Sequence, residues 1–213
     1  MSNGIIVFGA GGRTGRTAVA EALRRGHRVT AVVRDPAKYA DLAGPEVRVV
    51  AGDVTDADAV AALAVGHDAA IAAVYDPAAP MGDFFVRAVR ALLAGLSRAG
   101  VGRLVWVGLA SVLPTASGEP LMDTPDYPQE YRAFFLAHGE GNAALRSWDG
   151  APEWVVLSPA GDFDHEGVRT GNCRVAPADA QSRVSYPDFA IALLDEIDAP
   201  KLRGVHVGIE DGR

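Results

Sequence analysis

The stretch GIIVFGAGGRTGRT, Gly4 to Thr17, decides how the rest of the chain is read. An unbroken apolar run, Ile5 to Phe8, enters a turn carrying Gly9, Gly11, Gly12 and Gly15, and small and basic residues follow. Gly9, Gly12 and Gly15 fit the spacing G-x-x-G-x-x-G, while Gly11 adds an overlapping G-x-G, so the motif admits two registers. A strand ending in such a turn brings backbone close to any anion beyond it, and a helix starting there aims free amides at the same point. Within a parallel βαβ unit this is a seat for a dinucleotide phosphate. Standing alone it is only a tight turn.

Working outward, RVTAVVR (28–34), VRVVAGD (47–53), DAAIAAVY (68–75), RLVWVG (103–108), EWVVLSP (153–159) and GVHVGI (204–209) read as further strands. Alanine- and leucine-rich stretches between them predict helices over 14–25, 56–65, 82–99 and 128–148, with a last one in SYPDFAIALLDEIDAP. Asp56 is placed to cap the second helix and Ser185 or Asp188 the last, while Gly26, Gly66 and Gly100 are placed to stop helices. Strands that are continuous apolar runs suit a parallel sheet covered on both faces. The expectation is therefore an α/β, Rossmann-type, doubly wound and mostly parallel sheet, one domain over 1–213. Two segments break the rhythm: the proline-rich 109–131, and 160–184, which reads as irregular or as a short β-ribbon. Both are expected on the substrate side.

The composition, 49% hydrophobic and 22% charged, is that of an ordinary globular chain. A net charge of −7 argues against nucleic-acid binding, which draws on a basic face. No run approaches the roughly 18 apolar residues of a membrane span. MSNGIIVFG lacks the features of a secretory signal, so the expected location is cytoplasmic. Cys173 is the single cysteine, which rules out an intramolecular disulfide. The expected partner is a small molecule, with the chain a monomer or homodimer.

Around the turn, Gly9, Gly11, Gly12, Arg13, Thr14 and Gly15 are the candidate phosphate-side residues. Arg34 stands at the end of the second strand, where an acid would bind the ribose diol of NAD, with Asp35 behind it. Two guanidiniums, Arg13 and Arg34, would suit a 2′-phosphate, so NADP(H) is expected over NAD(H), although Asp35 could still take the diol. Asp53 could accept from the adenine amino group while Val54 packs on the ring; alternatively Asp53 caps the next helix. Ala72, Ala73 and Val74 are small enough to admit the cofactor ribose.

Taken together, GAGGRTG, VVRDPAK, AGDVTD, DTPDYPQEYRAFFLAHGEGNAALRS, WVVLSPAGDF, GVRTG and SYPDFAIALLDEIDAP resemble the atypical short-chain dehydrogenase/reductases. The likeness is greatest to the bacterial NADH-flavin reductase group, with NmrA-like and biliverdin reductase B-like relatives. It implies NADPH over the carboxyl ends of the strands, with Ser111 and Pro159 beside it. The substrate would pack on the nicotinamide in a pocket drawn from Pro114, Tyr127, Tyr131, Ala160 and Phe163. The Tyr-x-x-x-Lys pair of the wider superfamily is missing: Tyr127 is followed by Tyr131, Tyr131 by Phe135, and 109–150 holds no lysine.

A conjugated acceptor delocalises incoming charge and asks for less acid catalysis, so hydride transfer to a flavin, quinone or other conjugated molecule remains open. Ser111, Tyr131 and His138 are the candidate catalytic residues, His138 as an acid near neutral pH or a phosphate contact. Tyr131 and His138 are seven positions apart, so both could share one helix face. Two other readings stay open: a cofactor-binding redox sensor of NmrA-like kind, and a natural-product reductase, isomerase or cyclase. DFDHE (162–166) lacks a second histidine at ligand spacing, so no metal is expected. Nor is there a G-x-S-x-G elbow for a serine hydrolase. Phe84, Phe85, Phe134, Phe135 and Trp106 read as core.

Overall fold

The computed structural model describes residues 4–79 and 82–212. Its strands are β1 (Gly4–Phe8), β2 (Arg28–Val33), β3 (Val47–Ala51), β4 (Ala69–Ala72), β5 (Arg103–Val107), β6 (Glu153–Pro159), β7 (Asp162–Asp164), β8 (Cys173–Ala176), β9 (Arg183–Ser185) and β10 (His206–Asp211). Its helices are α1 (Arg13–Arg24), α2 (Ala57–Ala64), α3 (Phe84–Ala99), α4 (Arg132–Arg146) and α5 (Tyr186–Asp198).

Eight strands form one sheet in the order β3-β2-β1-β4-β5-β6-β10-β8, parallel except for β8, which runs antiparallel to β10. Every residue of β1 is buried, as its unbroken apolar run requires of a central strand. Its side chains alternate between two cores. Ile5 and Val7 join the core beneath α1 and α5, whereas Ile6 and Phe8 join the one beneath α2, α3 and α4. Strand order reverses between β1 and β4, and a doubly wound sheet opens a crevice for ligands at such a reversal.

Asp56 caps α2 by accepting from the amides of Asp58 and Ala59. Gly26, Gly66 and Gly100 follow helix ends with positive φ, the conformation that lets the chain turn off a helix. Ser185, not Asp188, caps α5, accepting from the Asp188 amide. The fully buried Asp188 carboxylate instead receives both the amide and hydroxyl of Thr170 and the amide of Gly171. Arg169 reaches the buried Glu21 of α1 at 3.1 Å. The GVRTG segment is thus a clasp tying the C-terminal region to α1 and α5.

Two expectations change. The fourth helix starts at Arg132, not residue 128, because Gln129 and Arg132 spend their donors on the Met122 carbonyl and Asp123 of the preceding loop. The segment 160–184 does form a short two-stranded ribbon, β7 with β9 in parallel, but between them β8 extends the main sheet. Gly208 permits that extension, since a Cβ there would stand 2.6 Å from the Ala176 carbonyl oxygen.

Candidate functional site

At the carboxyl ends of β1, β4 and β5 lies a groove of about 330 Å³. Its lining combines Gly12 to Gly15 after β1, Ala73 to Tyr75 after β4, Val107 to Leu109 after β5, His138 from α4 and Tyr186 from α5.

The four glycines of the turn have different jobs. Gly9 holds a φ of +79°, and a Cβ there would overlap the Ala73 carbonyl oxygen. A Cβ at Gly15 would overlap the Gly9 carbonyl oxygen, so Gly15 lets α1 start directly against the strand. Gly11 provides no slack, because a Cβ there would stand 2.5 Å from the ring of Tyr39. Only Gly12 faces room, its nearest neighbour being the Gly9 carbonyl oxygen at 3.6 Å. α1 begins at that point with no capping side chain and no acid in its first turn, unlike α2 and α5. An anion seated there would meet unpaired first-turn amides and the positive end of the helix dipole. Thr14 contributes to the same rim.

The two arginines do not combine. Arg13 reaches His165 Nδ1 and lies over the Tyr186 ring at 6.0 Å, which puts it beside the groove. Arg34 pairs with Asp76 at 2.8 Å and stays 68% exposed. The Ala78 amide and the Arg34 guanidinium hold the Asp76 carboxyl below the usual carboxylate range. Asp35 turns its carboxylate back to the Ala37 amide, with Lys38 3.6 Å away. Arg16 adds a cation at this end, resting on Tyr39 and bonding the Gly11 carbonyl and Asp41.

Asp53 is exposed and accepts from the amide and hydroxyl of Thr55, a local turn, while Asp56 takes the helix cap. Val54 packs against the core beneath α2 and α3, and Ala72 lies within it, leaving Ala73 and Val74 to face the groove.

On the substrate side the arrangement differs from expectation at several residues. The Ser111 hydroxyl is buried and bonded to Tyr127 Oη at 2.8 Å, so Tyr127 is the phenol brought to Ser111. Tyr131 precedes the first turn of α4, 59% exposed, and does not share a face with the buried His138. Pro114 sits on an exposed arm bridged to Pro120. Pro159 and Ala160 are buried, with the Ala160 amide donating to the Ile209 carbonyl, so neither lines the groove. Phe163 stacks on Tyr186 with ring centroids 4.1 Å apart, and Tyr186 is the ring that reaches the groove. In the acidic DFDHE stretch, Asp162 and Asp164 accept from nearby backbone amides and His165 meets Arg13. Cys173 is half-buried, and burial first, then nearby aspartates, push its thiol up to about 11, which leaves it unreactive.

His138 is 7% exposed and forms part of the groove floor. Phe85 and Phe134 enclose its ring at centroid distances of 3.7 and 4.8 Å. Burial, with a smaller contribution from His206, pushes its pKa down to about 3. The ring is neutral near pH 7, which overturns its reading as an acid near neutral pH. Behind it, His206 bonds Asn142 Nδ2 at 3.2 Å and Ser158 Oγ at 2.7 Å. Burial first and Arg146 second bring His206 down to about 4. Gly108 closes the floor over this pair, since a Cβ there would stand 2.7 Å from Ser158 Oγ.

Tyr75, Tyr186, Gly108 and Asn142 were not singled out from the sequence. Tyr186 was within reach: fixing Ser185 as cap puts the next residue at the helix's first turn, beside the carboxyl edge of the sheet.

A glycine turn, an uncapped helix start and a crevice at the strand-order reversal define a dinucleotide-binding α/β protein. The chain belongs to the NAD(P)H-binding family, whose sequence pattern matches residues 9–200, within the atypical short-chain dehydrogenase/reductases. It is 35% identical over 203 residues to the uncharacterised protein YwnB of Bacillus subtilis strain 168, covering 92% of each chain. A Bacteroides thetaiotaomicron structure provisionally named an epimerase is 32% identical, with TM-score 0.86 and coverage of 100% of this chain and 99% of that one. A Streptococcus pneumoniae structure provisionally named an NADH-flavin reductase is 27% identical, with TM-score 0.83, covering 99% of this chain and 100% of that one. Among the described residues no helix is long and apolar enough to cross a membrane.

Proposed function

We propose that this protein is an NADPH-dependent oxidoreductase that delivers hydride to a flavin, quinone or other conjugated small molecule. The observation that carries the reading is the open side of Gly12 at an uncapped helix start, in a groove bounded by Tyr75 and Tyr186. Gly12, Thr14 and the first-turn amides would hold the pyrophosphate, and Arg13 would turn from His165 toward it. Arg34, exposed and next to an Asp35 already engaged by its own backbone, would take the 2′-phosphate and favour NADPH. Asp53 and Val54 would flank the adenine, as Ala73 and Val74 would the nicotinamide ribose.

NADPH, when bound, supplies the hydride. The chain's share is to seat the two rings face to face, to keep water from the floor with Val107, Leu109 and His138, and to flank the acceptor with aromatic edges. Ser111, just past the end of β5, and Tyr127 are bonded to one another and would donate to the acceptor or the carboxamide. No metal enters this scheme. The working unit is one domain, cytoplasmic, monomer or homodimer.

The test mixes protein and NADPH with FMN, riboflavin, quinones and enones and follows nicotinamide absorbance. Turnover of at least one acceptor is expected. Tight binding without turnover of any of them favours a redox sensor, a reading already supported by the missing Tyr-x-x-x-Lys pair.

A further inference from the structure

The floor of the groove holds a polar arrangement that the scheme above does not use. His138 contributes to the floor, yet its Nδ1 is buried with no hydrogen-bond partner. Behind it, His206 has one ring nitrogen against Asn142 Nδ2 and the other against Ser158, while Asn142 Oδ1 is likewise buried and is not bonded to His138. Phe85 and Phe134 pack against the ring, and their side chains offer no acceptor. A proton on Nδ1 would therefore be an orphaned buried donor, whereas Nε2 is not buried without a partner, and the ring it belongs to lines the groove. Buried N–H groups without acceptors are rare, so the environment selects one tautomer.

We infer that His138 is a neutral hydrogen-bond donor of the groove, offering Nε2–H to an oxygen of a bound ligand. The inference rests on the dinucleotide reading above and names what the floor contributes to it. The oxygen has two possible sources, a hydroxyl of the nicotinamide ribose or a carbonyl of the acceptor. The first fits a groove whose lining brings His138 together with the small residues Ala73 and Gly108 at the ends of β4 and β5. Neutrality is part of the design. A cation here would compete with Arg13 for the phosphates, and a neutral donor binds oxygen without drawing the pyrophosphate down into the floor. Asn142, one helical turn along α4, and Ser158 act as positioning residues by holding His206 in place behind the ring.

Two measurements test this. In protein labelled with ¹⁵N-histidine, the His138 ring should show protonated Nε2 and bare Nδ1 throughout the neutral range. A ring protonated on Nδ1, or on both nitrogens, overturns the assignment whatever the protein binds. The second measurement compares His138→Phe, which keeps a ring between Phe85 and Phe134, with His138→Gln, which keeps a neutral donor. Thermal unfolding confirms that each is folded. If the ribose is the partner, His138→Phe weakens NADPH binding about tenfold, the value of a neutral hydrogen bond, with kcat held. If the acceptor is the partner, NADPH affinity stays and kcat falls about tenfold or more. In either case His138→Gln recovers most of the loss. His138→Phe with both NADPH affinity and kcat unchanged contradicts the inference. Wild-type protein that binds no dinucleotide removes the cofactor reading and the ligand assigned to His138 with it, and the NMR result separates that failure from a wrong tautomer.

Discussion

Around Gly9–Gly15 the groove is shaped by close contacts that leave no room for a side chain at Gly9, Gly11 or Gly15, whereas the wall of Phe163, His165 and Tyr186 is shaped by rings resting on one another. In the first region the determinants are excluded atoms: Gly9 against Ala73, Gly15 against Gly9, Gly11 against Tyr39. In the second they are pairings between distant parts of the chain, such as Arg13 with His165 and Asp188 with Thr170. Backbone constraints are local and act through residue type, so the turn tolerates few substitutions. Side-chain pairings can be exchanged one at a time, so that wall is where related proteins can diverge in reaction on a shared cofactor seat.

The largest expected effect lies in the floor between the two regions. His138 and His206 have folded pKa values of about 3 and about 4, below the unfolded value near 6.5. The unfolded chain therefore binds more protons than the folded one below about pH 6.5, and stability falls as pH drops toward the folded values. Their joint contribution should make the protein roughly 2–4 kcal/mol less stable at about pH 5 than at about pH 8, measured by urea unfolding. His138→Gln should remove about half of that slope. A slope unchanged by His138→Gln would place the titration elsewhere.

Next comes Gly9→Ala, which forces a side chain onto the Ala73 carbonyl at positive φ and should cost about 3 kcal/mol or more. On the other wall, Asp188→Ala leaves the Thr170 and Gly171 amides unpaired and should cost about 2 kcal/mol. It should also speed proteolysis within 165–172 before it touches α1. If Gly9→Ala proves milder than Asp188→Ala, the contrast between an excluded-volume turn and a paired wall is wrong. The smallest effect belongs to Arg34→Ala, expected to lower NADPH affinity about tenfold with NADH affinity unchanged. Equal losses for both cofactors would move the 2′-phosphate to another cation, and Arg16 on Tyr39 is the next candidate.

The same contrast explains what could be read from the sequence. Strand-length apolar runs and the G-x-x-G-x-x-G spacing are short-range signals, and they predicted the parallel sheet, its helices and the turn after β1. Asp56 and Ser185 were legible as caps because capping is decided within a few residues. The choice of Tyr127 over Tyr131 was not legible, since it depends on how the 109–131 loop folds back to bring a phenol to Ser111. Nor was the burial of Ala160 and Pro159, which follows from β10 pairing with β6. Arg13, within the glycine turn, looked like a partner for Arg34, at the end of β2, because both were expected near the adenosine ribose; His165, distant in sequence from both, claims Arg13 instead.

The account stands on the open side of Gly12 as the cofactor's seat, and one titration tests it directly. NADPH is titrated calorimetrically into the wild-type protein and Gly12→Ala side by side. A methyl there meets nothing closer than 3.6 Å, so the variant should unfold within about 0.5 kcal/mol of wild type. The prediction is that it nevertheless loses NADPH affinity by at least about tenfold, because the added carbon occupies the pyrophosphate's line of approach. A folded Gly12→Ala protein that binds NADPH as tightly as wild type would contradict it.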